Sequence, residues 1–146
     1  MKRKRVIGTT IEAIQTEESK LEKKLSPSFS DWLIAHNGTN VEGIHIYPVL
    51  DPRDKRMTWE SLYHNLVNGW AEWLEVHEDS GYEFDHLLPF ADFGTGDYYC
   101  FDYSNISRPD EPTIVHWSHE TAETEFRAKD FSEFVIKAES GEFDYD

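Results

Sequence analysis

Between Arg56 and Arg108 the sequence carries no lysine or arginine at all, although ten Asp or Glu fall in that interval. Cysteine is almost as scarce: Cys100 is the only one in 146 residues, so no disulfide can form within the chain. No apolar run approaches the length of a membrane span. The basic start "MKRKRVIGTT" passes at once to Gly8, Thr9 and Thr10, so no cleaved leader is expected and the expected location is cytoplasmic. Internal repeats, low-complexity tracts and long Pro/Gly/Ser linkers are also missing. There is no G-x-S-x-G elbow for a serine nucleophile. The "GTG" at Gly94–Gly96 lacks both the Walker lysine and the dinucleotide-binding continuation, so a hairpin turn using positive φ at glycine is expected there.

What is present is aromatic and acidic. Five Trp, nine Phe and seven Tyr supply much of the apolar area that a domain of this size must bury. Net charge is −15, unevenly spread. Residues 1–58 hold ten Lys or Arg and eight Asp or Glu, net +2, whereas residues 59–146 hold four and twenty-one, net −17. Such a surface repels nucleic acid and anionic lipid and attracts basic partners. The same numbers also suit a protein whose charge serves only to keep it dispersed.

The hydropathy pattern predicts an α+β domain. Thr9 to Leu25 reads as a helix, with Thr9 and Glu12 at capping-box spacing. A second runs through "SPSFSDWLIAHNG", with Ser26 as cap, Pro27 at the first helical position and Asn37-Gly38 at the end. "GIHIYPVL" reads as a strand whose Pro48 marks an edge or a terminus. Thr58 to Glu78 reads as one long helix capped by Thr58, with an aromatic stripe through Trp59, Tyr63, Trp70 and Trp73. Gly69 in its interior predicts a close contact or a kink. "HLLPFADF", "DYYCFDYS" and "TIVHWSHE" read as strands joined through "GTG" and "NISRPDEP". Tyr99, Phe101 and Tyr103 would form an aromatic face against helices, with Tyr98, Cys100 and Asp102 on the other side. "KDFSEFVIKAES" reads as a closing amphipathic helix with Asp130 at its start. Residues 1–8 are expected to be a basic, flexible N-terminus, and residues 9–146 a single domain.

Residues suited to chemistry are scattered. His116 and His119 lie three apart, which on a strand sends them to opposite faces. His77 and His86 flank a loop bearing Glu78, Asp79, Glu83 and Asp85, an oxygen-rich set of the kind a hard cation takes, but without a recognised ligand spacing. A hydrolase would need such a cation between that loop and His116 or His119. Cys100 sits among aromatics and aspartates, which oppose thiolate formation. The expectation is therefore a non-enzyme with no catalytic residue, no metal and no cofactor.

The segments "LEKKLSPSFSDWLIAHNG", "IHIYPV", "LLPFADFGTGDYYCFDYS", "EPTIVHWSHETAE" and "KDFSEFV", in that order from Leu21 to Val135, resemble the SUKH superfamily of cell-wall-assembly-regulator-like domains. The "GTG" turn is shorter than the glycine-richer turn of that pattern. The resemblance implies a SUKH-like α+β single domain, with a mainly antiparallel sheet packed against N-terminal and C-terminal helices. It also implies an immunity protein that binds and neutralises a cognate toxin, often a nuclease. The alternative is a non-catalytic regulatory scaffold in cell-envelope or signalling pathways, as in fungal relatives. It fixes no contact residues. Charge does: a basic nuclease cleft would meet Glu78, Asp79, Glu83, Asp85, Asp92, Asp97 and Asp102, with Tyr98 as an aromatic anchor. No direct contact with nucleic acid or membrane is expected.

Overall fold

The computed structural model describes residues 6–92, 94–108 and 110–146. Helix α1, Ile11–Leu21, opens on Thr10, whose hydroxyl accepts from the Ala13 amide at 3.1 Å. Thr10 thus replaces the expected cap Thr9, which is buried and donates its hydroxyl to Asp51 at 2.8 Å. Helix α2, Pro27–His36, has the foreseen Ser26 cap and proline start. Asn37 does more than end it. Its side chain accepts from the Val49 amide at 2.9 Å and donates to the Val49 carbonyl at 3.2 Å, pairing with the backbone as a neighbouring strand would.

The region read as one helix from Thr58 to Glu78 is broken. A four-residue helix α3, Lys55–Thr58, ends where Ser61 caps a new start. From there α4, Leu62–Asn65, continues through a π-helical turn, Leu66–Trp70, into α5, Ala71–Val76. Gly69 lies in that turn, and a Cβ there would sit 3.2 Å from the Tyr98 hydroxyl, so the helix is both bulged and in close contact. Trp59, on the break, is 54% exposed rather than core. The buried Glu17 of α1, 1% exposed, accepts from the Tyr63 amide at 2.9 Å and holds this helix start in place.

Five antiparallel strands follow the simplest order, β1-β2-β3-β4-β5. They are β1 His45–Ile46, β2 Leu87–Asp92, β3 Tyr98–Arg108, β4 Glu111–Trp117 and β5 Thr124–Ala128. The strand expected over "GIHIYPVL" shrinks to two edge residues before Pro48. Strand β5 was not foreseen, because "TEFRA" is short, charged and mostly exposed. The expected turn "NISRPDEP" is largely strand, and reversal comes at Asp110 with φ 65°. Helix α6, Phe131–Glu139, starts on Asp130, which accepts from the Glu133 amide at 2.8 Å.

Both sheet faces are buried. On one, Phe90, Phe101 and Tyr99 meet Phe29 of α2 and Phe131 and Phe134 of α6, with Phe29–Phe131 centroids 4.8 Å apart and Phe90–Phe101 4.3 Å. On the other, Tyr98 and Trp117 meet Trp70 of the π-helical turn, at 5.3 and 4.8 Å, and Phe84 covers Trp117 at 6.3 Å. Val6 and Gly8 are tied to this packing: the Val6 amide donates to Asp54 and the Gly8 amide to the Asn37 carbonyl. The expected flexible stretch Lys2–Arg5, Phe93 at the end of the expected strand and Pro109 of the expected turn lie outside the described residues.

Truncating Phe101 to alanine should lower unfolding free energy by about 3–5 kcal/mol, while Trp59→Ala should change it by no more than about 0.5 kcal/mol. Urea denaturation of the two variants checks this.

Asp51 supplies a pH dependence. Hydrogen bonds from the Arg53 side chain, opposed by burial and aided by Thr9, pull its carboxyl from 3.8 down to about 2. Because the folded value is depressed, its stabilisation is complete above the ordinary value and is lost as the pH falls toward about 2. Asp51→Asn should flatten the acid limb of a melting-temperature profile over that window.

Candidate functional site

The expected acidic contact residues fall into three groups. Glu78 and Asp79, in a single 3-10 turn from Glu78 to Ser80, are exposed, as are Glu83 and Asp85. The hairpin acids are engaged within the fold. Asp92 accepts from the Tyr47 hydroxyl and lies 4.0 Å from His45 Nδ1. Asp102 accepts from the Ser104 amide at 2.9 Å and hydroxyl at 2.6 Å. Tyr98 is a correction. Only 8% exposed, it packs on Trp70 and Trp117, because the second sheet face is as dry as the first, and so it cannot anchor a partner. Burial, with Asp92 nearby, pushes its hydroxyl up to about 12.

Asp97 is the most heavily used carboxylate at this end of the sheet. Oδ1 accepts from the His119 amide at 2.9 Å and from His119 Nδ1, and Oδ2 lies 3.0 Å from His116 Nε2. Burial raises its carboxyl, but the His119 backbone and ring hydrogen bonds and the charge of the two histidines outweigh that and hold it below the ordinary range. Both histidines therefore reach one group, against the parity expected of a strand. Strand β4 ends at Trp117, and the turn beyond it brings His119 back over the β2–β3 hairpin. His77 completes the tie by donating from Nε2 to the His119 carbonyl at 2.7 Å. Gly96 is required here: its φ is +100°, and a Cβ would lie 3.0 Å from His119 Nδ1.

These contacts engage His77, His116 and His119. Among the described residues, no group of three or more His, Cys, Asp or Glu could hold a metal ion. Cys100 is fully buried, and burial raises its thiol well above the ordinary value, opposing thiolate formation.

The His77–His119 tie sets two loops side by side, and this the sequence did not reveal. Glu120 and Glu123, exposed on the β4–β5 turn, join the four acids of the 78–85 loop. Among the described residues none of these six side chains makes a hydrogen bond or ion pair. The loop is pinned at its far end by Lys23, whose Nζ donates to the Asp85 carbonyl at 2.8 Å. Tyr82, 51% exposed, stands among the acids. Between the loops opens a cleft of about 300 Å³. Only the 78–85 loop was read as an acidic stretch, and the tie between the loops is a histidine-to-carbonyl bond between residues 42 positions apart.

An aromatic-cored antiparallel sheet between two helical layers defines a domain of the α+β class. The chain belongs to the SMI1 / KNR4 family (SUKH-1), which matches residues 8–137, in agreement with the resemblance noted from the sequence. No curated protein matches the chain. No helix among the described residues is long and apolar enough to cross a membrane.

Asp97→Asn should cost about 1.5–3 kcal/mol, the range for a hydrogen bond to a charged group, whereas Glu83→Gln should stay within about 0.5 kcal/mol. Chemical denaturation of both variants separates a carboxylate that holds the fold from one that does not.

Proposed function

We propose that this chain is an immunity protein, acting in the cytoplasm, that binds a toxin encoded beside it and neutralises it by occupying a basic surface, such as the phosphate-binding cleft of a nuclease. The family is consistent with toxin immunity. The observation that carries the reading is the set of six exposed carboxylates on the 78–85 and 118–123 loops, unpaired among the described residues. Like charges on adjoining loops repel one another and stabilise nothing within the fold. A cationic partner turns that repulsion into attraction, and complementary fields raise association rates to about 10⁸ M⁻¹s⁻¹ or more at low salt. The exposed Tyr82 beside them is the kind of aromatic that anchors interfaces. The protein acts by binding, without transforming its partner, and no cofactor enters this reading.

The carboxylates assigned to the partner differ from those the sequence put forward. Glu78, Asp79, Glu83 and Asp85 remain, Glu120 and Glu123 are added, and Asp92, Asp97, Asp102 and Tyr98 serve the fold.

Co-expression with the neighbouring gene product, scored by growth rescue and co-purification, tests the reading. Replacing Glu78, Asp79, Glu83, Asp85, Glu120 and Glu123 by their amides should leave the melting temperature equal or higher and slow association at least tenfold. The association rate of the parent protein should fall steeply between about 50 and 500 mM salt, where screening becomes complete. A salt-independent rate would discard the charge mechanism. Absence of any toxic neighbour, with no phenotype on deletion, would discard immunity in favour of a regulatory scaffold.

A further inference from the structure

The cleft between the two acidic loops has a shape that the charge count does not explain. It is lined by Tyr82, Glu83, Phe84, His86 and Leu87 from one segment and by Ala122 and Glu123 from the other. Leu87 and Ala122 are each only 3% exposed, so part of the lining is apolar and buried. Phe84 is fixed from behind by Trp70 and Trp117. Glu83 and Glu123, from segments about forty residues apart, both line the cleft, and neither carboxylate has a partner among the described residues. At about 300 Å³ the cleft lies at the lower limit for small-molecule sites, and it offers room for a single long side chain.

We propose that this cleft receives one arginine side chain of the basic partner. The inference rests on the reading of the chain as a binder of a basic protein. A cleft lined by the buried Leu87 and Ala122 and by two carboxylate residues matches a side chain whose stem is apolar and whose head is cationic. Arginine fits better than lysine for three physical reasons. Its planar head has five donors and can serve two carboxylates at once. It is less strongly hydrated than an ammonium group, so entry strips less water. It also stacks on aromatic rings, which Tyr82 and Phe84 present there. The six loop acids steer the partner, and this cleft fixes where on the surface it settles.

Two measurements test the proposal. In the first, amide chemical shifts are followed while the peptide acetyl-Gly-Arg-Gly-amide is added to the parent protein and to the E83Q/E123Q variant. Shifts should be saturable and confined to residues 82–87 and 122–124. They should weaken at least tenfold in the variant and severalfold when lysine replaces arginine in the peptide. Shifts spread evenly over all exposed acids, or an unchanged titration of E83Q/E123Q, would overturn the cleft. In the second, the purified neighbouring toxin is titrated against E83Q/E123Q and against E78Q/D79N, which removes the same charge outside the cleft. The first pair should lose at least tenfold more affinity than the second. Equal losses would overturn the cleft and leave the charge reading standing. If no toxin binds at all, the functional reading falls, and the peptide titration alone decides the cleft. Matching melting temperatures confirm that each variant is folded.

Discussion

Burial of the sheet on both faces is the constraint from which the rest follows. A sheet with one wet face could place its acids in alternate positions along every strand. Here Phe29, Phe131 and Phe134 close one face and Trp70 and Phe84 the other, so strand positions on either side are largely closed to charge. A chain carrying twenty-one acids after residue 58 must then put most of them into turns, helix surfaces and loops. The concentration of charge in loops is thus a consequence of packing as much as of composition.

The acids divide according to what surrounds them. Where a donor is within reach and water is excluded, the carboxylate becomes part of the fold. Glu17 holds the start of α4, Glu111 accepts from the Ser28 amide and hydroxyl at α2, Asp51 grips Arg53 and Asp97 joins two histidines. Such groups cost stability when their partner is lost. On the 78–85 and 118–123 loops the six carboxylates take no hydrogen bond or ion pair among the described residues, and Lys23 reaches the Asp85 carbonyl rather than a carboxylate. The two populations of carboxylate thus differ in whether the fold uses them.

Much of the architecture was legible from local chemistry. The Ser26-Pro27 start of α2, the Asp130 start of α6, the glycine turn at 94–96 and the order of helices before strands all depend on residues close in sequence. The failures were long-range. The helix from Thr58 to Glu78 has an unbroken aromatic period, yet Ser61 interrupts it and a π-helical turn fits Gly69 against Tyr98. Strand β5 has no apolar alternation, because only pairing with β4 makes it a strand. The parity rule for His116 and His119 failed because the strand stops between them.

The sequence by itself determined the class of fold, the family pattern and the acidic character of the chain's C-terminal part. Each of these depends on composition, on short periods and on capping residues, which act over a few positions whatever the rest of the chain does. Only the tertiary structure decided which carboxylates are available. Tyr98 and Asp97 read as surface until Trp70, His116 and His119 closed on them, and Glu123 joined Glu83 in lining one cleft only when the two loops met. Availability depends on which distant segments pack against a side chain, and no local pattern encodes that.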